Sequence, residues 1–173
     1  MSTLKTNQIQ TVSEKPILNS TGSVINVYHS YDTTQAYYAQ HADVDLTGLS
    51  ITLTPTSANS KFILQAVIPI TTNYVLGFGF KRGTTRIGKA TANIEVNMGT
   101  NLTNIWCILH NNNTYIFEQP IIDVDTPNTT SSITYCPFFT NNWSNIANGA
   151  YYNQRANNDM GSSSSFTIFE VVG

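Results

Sequence analysis

The acidic residues of this chain gather twice at a spacing that bears on chemistry, Asp43-Val44-Asp45 and Asp123-Val124-Asp125. Residues two apart on a β-strand share a face, so each pair would present its carboxylates side by side, the beginning of an oxygen site for a divalent ion. Calcium takes about six to eight oxygen ligands, which two carboxylates do not supply, so the pairs read as acids flanking turns at strand ends, and no metal or cofactor is expected. The three histidines, His29, His41 and His110, lie in unlike contexts and read as structural. No GxSxG, HExxH, CxxC or glycine-rich phosphate loop is present. A glycosidase would need two carboxylates facing each other across a cleft, and nothing in the spacing of the ten acids points to one. The expectation is a protein without catalytic residues.

Aromatic side chains are the other lead. The segment from Asn141 to Arg155 mixes Trp and Tyr with amides in a loop-like composition, and sugar rings bind to aromatic faces flanked by hydrogen-bonding groups. Trp143, Tyr151, Tyr152 and Arg155 are therefore the candidate glycan contacts. The competing reading makes Trp143 a plug at a sandwich edge and Tyr151-Tyr152 an ordinary strand in a subunit interface. Cys107 and Cys136 each sit in an apolar, strand-like stretch and are expected to be free thiols.

The elements that must position these residues are almost all strands. Val24 to Tyr28 opens the series, and Leu49 to Leu53 alternates apolar and polar before Pro55. Phe62 to Ile68 is a continuous apolar run of strand length, which predicts a strand covered on both faces. Tyr74, Leu76, Phe78 and Phe80 alternate with Gly77 and Gly79, one bulky face and one bare face that another backbone can approach. Arg82 to Arg86 reads as a hairpin turn. Strands are expected again over Ile94 to Val96, Leu102 to Leu109, Tyr115 to Val124 and Ile133 to Phe139. One stretch competes for helix, Asp32 to Gln40, where Asp32 would cap a turn holding Ala36, Tyr37, Tyr38 and Ala39. Gly161 to Ser165 then leads into Phe166 to Val172, an apolar segment expected to be paired inside a sheet.

About ten short strands with turns between them predict an all-β fold, an antiparallel β-sandwich or jelly roll, over residues 24–173. Residues 1–23 are polar, with isolated apolar positions Leu4, Ile9, Val12, Ile17 and Leu18, too uneven for an amphipathic helix and interrupted by Pro16. They read as an extended attachment segment that needs a partner surface to order it. Charged residues make up 10% of the chain, against about 25% in ordinary soluble domains, while Asn, Thr and Ser supply roughly a third. A net charge of -2 provides no basic field for nucleic acid. No apolar run approaches the roughly 20 residues of a spanning helix and no basic leader precedes an apolar core, so cytosolic synthesis without membrane insertion is expected.

Several segments carry a resemblance. Leu4 to Ser13 followed by Lys15 to Val24 is similar to the start of short fibre-type virion proteins of tailed bacteriophages, especially those infecting aquatic bacteria. Thr54 to Phe62 resembles that group's Ser/Thr-rich turn into a buried strand. Asp125 to Ser131 ahead of Tyr135 resembles its Asp-x-Pro-x-Thr turn, and Ser162 to Val171 its Ser-rich lead into an apolar strand holding a Glu. The resemblance covers most of the chain. It departs at Glu14, where the pattern has Gly, and in the Asn-rich patches at Asn111 to Asn113 and Asn141 to Asn148. It implies a homotrimer of jelly-roll heads, similar to tumour-necrosis-factor or C1q-type modules. The head would face a host-surface glycan, and Leu4, Ile9, Val12, Ile17 and Leu18 would dock on other virion proteins. A virion location follows, after synthesis in the host bacterial cytoplasm. A capsid decoration or head-fibre protein of the same fold and a free lectin-like module are the alternatives. A nearly neutral surface, with little self-repulsion, suits the stacking of identical subunits in the first two.

Overall fold

The computed structural model describes residues 21–39, 43–72, 75–88, 107–110, 115–140, 149–157 and 159–173. They form two antiparallel sheets packed face to face. The first sheet runs β1 (Val24–Asp32), β12 (Ser164–Val171), β5 (Lys61–Thr72), β9 (Phe117–Asp125). Beyond the end of β12, β11 (Ala150–Tyr152) pairs with the last residues of β5, and β2 (Ala36–Tyr38) pairs with β11. In the second sheet β10 (Ile133–Thr140) is flanked by β6 (Val75–Arg82) on one side and by β3 (Asp43–Asp45) and β4 (Ile51–Leu53) on the other. β7 (Thr85–Ile87) and β8 (Cys107–His110) pair with the far edge of β6. Apart from the β6–β7 hairpin, neighbours in each sheet come from distant parts of the chain, the crossover pattern of a jelly-roll sandwich. Among the described residues the sole helical turn is 3-10, Thr47–Leu49.

Period-two alternation decides which side chains meet between the sheets. Phe62, Leu64, Ala66, Ile68 and Ile70 of β5 and Phe166 and Ile168 of β12 face Leu76, Phe78 and Phe80 of β6 and Tyr135 and Phe139 of β10. Phe80 and Phe166 stack across the gap with ring centroids 5.5 Å apart, and Phe62 meets Tyr135 at 5.7 Å. Each such side chain contributes about 1.5–3 kcal/mol on leaving water, so this one layer outweighs every surface interaction.

The expected hairpin is present, with Gly83 in the left-handed region at φ 59° in the turn between the paired Arg82 and Thr85. The stretch from Asp32 forms strand β2 rather than helix. Asp32 does cap a turn, but a local one, in which its carboxylate accepts the Thr34 N–H at 2.8 Å. Strand geometry then sends adjacent tyrosines to opposite sides, Tyr38 inward to Phe139 and Tyr152, and Tyr37 outward onto Tyr151. Gly149, just before β11, admits this contact because a β-carbon there would lie 2.0 Å from the Tyr38 carbonyl oxygen and 2.8 Å from the Tyr37 ring. Gly149→Ala is expected to detach β2 from β11, seen as faster amide exchange at Ala36 to Tyr38 with β5 and β12 still protected. Unchanged protection at those amides would refute the close-approach argument.

Candidate self-association face

The first sheet has an outward side built from every second residue of its strands. Reading across the paired strands β1, β12, β5 and β9, one row is Val27, Phe169, Ile63 and Val124. The next is His29, Thr167, Gln65 and Ile122, and the third is Tyr31, Ser165, Val67 and Pro120. Farther along β5, Tyr37 and Tyr151 continue the surface beside Thr71, their rings 4.8 Å apart. Val27, Tyr31, Tyr37, Ile122 and Val124 are each about half exposed or more, from 49% to 71%. All nine residues of β1 remain at least partly exposed.

Such a surface is unusual in a lone sandwich, where an outward face is expected to be polar. The composition of β5 is the sharpest sign. Its run from Phe62 to Ile68, apolar but for Gln65, predicts cover on both faces, yet in the single chain its inward residues are buried while Ile63 and Val67 stay partly exposed and Gln65 exposed. That correction has a physical reason: the composition of a run is a local signal and does not say whether anything packs on its second face. The charges on this side are sparse, with exposed Lys61 at one end of β5 and Glu118 toward the other end, while His29 is held by a 2.9 Å hydrogen bond to Thr167 Oγ1. Across roughly 33 Å of β5 and about 19 Å of four strands the flat footprint is about 600 Å², which approaches the ~800 Å² each partner contributes to a stable interface.

The opposite outer side, on the second sheet, is closed and ionic. Phe138 is fully buried there, with Lys81 Nζ 5.3 Å and the Arg86 guanidinium 4.7 Å from its ring centroid. Asp45 pairs with Lys81. On the inward side, between the sheets, Asp125 accepts Arg82 Nη1 at 2.8 Å and the Tyr135 hydroxyl at 2.7 Å. One member of each acidic pair, Asp45 and Asp125, is thus engaged by a protein cation. Asp123 lies buried on the inward side of β9, where Oδ1 accepts the Val124 N–H at 2.7 Å. Among the described residues no three His, Cys, Asp or Glu side chains converge.

Among the described residues, the candidate glycan contacts Tyr151, Tyr152 and Arg155 do not share one face. Tyr151 stands half-buried on the outward face against Tyr37, but Tyr152 points the other way and is 1% exposed. Its hydroxyl donates to Asp32 Oδ2 at 3.1 Å, and burial raises its pKa. Tyr152 is therefore a core residue, because neighbours on a strand cannot share a face. Arg155 turns back on its own loop, donating to Asp159 Oδ2 at 3.2 Å. Trp143 lies outside the described residues, as do Leu4, Ile9, Val12, Ile17 and Leu18, His41 and Ile94 to Val96. Cys136 is a free thiol whose burial raises its pKa, and Cys107 is placed on β8. Sequence reasoning missed Val27, Tyr31, Ile122 and Val124, although alternation from Val27 to Tyr31 and from Ile122 to Val124 carried the signal. No protein family matches this sequence, and no curated protein is similar to it.

Proposed function

We propose that this chain is a structural virion protein of a tailed phage, a homotrimeric tail-fibre or knob component whose 24–173 head faces the host surface and whose residues 1–23 attach it to the particle. The observation that carries this reading is the apolar, almost uncharged outer face of the first sheet. An apolar surface of that kind marks a contact site, and identical, weakly charged subunits cover one another with little repulsion. The engagement of Asp45 and Asp125 by Lys81 and Arg82 supports a scaffold role over a chemical one. The resemblance of the opening segment to phage fibre proteins supplies the particle and the host.

Light scattering on the full-length protein is expected to give about three times 19.1 kDa. Val27→Asp together with Val124→Asp, which place charge on two edges of the face, should yield 19.1 kDa with an unchanged circular dichroism spectrum. A wild-type monomer, or a double variant of undiminished mass, would remove the assembly reading. In phage carrying a deletion of residues 2 to 23, the head is expected to fold but to be absent from purified particles.

A further inference from the structure

Apart from Met160, in the loop between β11 and β12, the large exposed apolar side chains described lie on the first sheet or just before β9, yet they form two separate patches. Among the described residues the large exposed hydrophobics are Val24, Val27 and Tyr31 on β1, Tyr37 on β2, Tyr115, Phe117, Ile122 and Val124 on or just before β9, and Met160. Strand parity divides them. Ile122 and Val124 point outward with the face, whereas Phe117 pairs with Ile70, whose side chain is in the core. Phe117 is therefore on the inward side of β9 where the sandwich ends, 45% exposed, and Tyr115 two residues earlier is 63% exposed. The Tyr115 carbonyl accepts the Thr71 hydroxyl at 3.0 Å, which anchors this flank to β5.

We infer that copies of this chain associate head-to-tail, the Tyr115/Phe117 flank of one seated on the outer face of the first sheet of the next. This rests on the self-association reading above and adds its geometry. A face-to-face pair related by a two-fold axis would cover the face on both copies and leave both flanks in water. A heterologous contact covers one face and one flank at every junction, and closes when the rotation between copies completes a ring. Charge does not decide the pairing, because Glu118, next to Phe117 in sequence, points to the outer face and shares it with Lys61, the one Lys or Arg described there. The β9 edge is also guarded against simple strand addition, since Pro120 lacks an N–H and Glu118, Asp123 and Asp125 line the strand. The contact is made by side chains.

Two blocked variants and their mixture test the inference: Phe117→Asp on the flank, and the Val27→Asp/Val124→Asp double variant on the face. Each alone is expected at 19.1 kDa, and an equimolar mixture at twice 19.1 kDa and no larger, because one intact face meets one intact flank and the remaining sites are dead. Tyr115→Asp, outside the strand, replaces Phe117→Asp if circular dichroism shows that the latter does not fold. A flank variant that keeps the full wild-type mass, or a mixture that stays at 19.1 kDa, overturns the head-to-tail geometry while leaving assembly through the face intact. A wild-type monomer would instead overturn the assembly reading itself.

Discussion

Glu170→Ala is expected to lower the free energy of unfolding by about 3–5 kcal/mol and the melting temperature by roughly 10 °C. Glu170 is fully buried near the end of β12, inside a ring of donors from two other parts of the chain, β1 and the turn from Thr56 to Ser60. Its carboxylate accepts Asn26 Nδ2 at 2.7 Å, the Thr56 N–H at 2.6 Å and hydroxyl at 3.1 Å, the Ser60 hydroxyl at 2.7 Å and the Tyr28 hydroxyl at 3.4 Å. Removing it leaves these donors facing a void and unties the Thr56–Ser60 turn from β1 and β12. Glu170→Gln preserves the volume, but its amide NH₂ turns a donor toward donors, so it should recover only part of the loss. A melting point within about 2 °C of wild type for the alanine variant would contradict this account.

The same carboxylate sets a pH dependence. Burial alone would raise its pKa, but the hydrogen bonds from Asn26, Ser60 and Thr56 outweigh that and hold it below its ordinary value of 4.5. A depressed folded-state pKa means that the unfolded chain binds the proton more readily. The stabilisation is therefore complete above the unfolded value and is lost as pH falls through the folded one. Wild-type stability should fall with acid below about pH 4.5, and Glu170→Gln should flatten that part of the curve. Parallel acid profiles for the two proteins would show that other carboxylates govern the transition.

The second large effect is expected at Asp125, which ties the edge of the first sheet to the second. Asp125→Ala strands the hydroxyl of fully buried Tyr135 and leaves the partly buried Arg82 guanidinium without its carboxylate. The Tyr135 hydroxyl, whose pKa is raised by burial and by Asp125, then has no acceptor of comparable strength. Leaving a buried donor unpaired costs about 1–3 kcal/mol. The Arg82 side chain is 33% exposed and recovers water, so the total should be near 3 kcal/mol rather than the ~5 kcal/mol upper value for a fully buried pair. Tyr135→Phe in the Asp125→Ala background should restore about 1 kcal/mol, because the orphaned hydroxyl is gone. Strictly additive losses in urea unfolding would show that the two groups are not coupled.

Much of the architecture is legible without coordinates because its signals are local. Alternation at Ile51 and Leu53, the apolar run from Phe62, the Gly83 turn and the Ser-rich lead into Phe166 each locate an element, and the strands at Val24, Ile133 and Ser164 begin at or within a few residues of the expected positions. The adjacent tyrosines at 37–38 and 151–152 were harder. A loop, a helix and a strand all tolerate such a pair, and only pairing with a neighbour shows which ring faces the core.

The amino-acid sequence by itself determined the strand class, the neutral polar composition and, in the run from Phe62 to Ile68, apolar side chains in excess of one inward face. Only the tertiary structure decided where the excess emerges and what encloses Glu170. Val27, Phe169, Ile63 and Val124 form one row although they come from four distant segments, and Asn26 reaches Glu170 across 144 residues of sequence. Local alternation states that a residue has a side; the register between strands remote in the chain, chosen by packing Phe80 against Phe166 and Phe62 against Tyr135, states which residues share it.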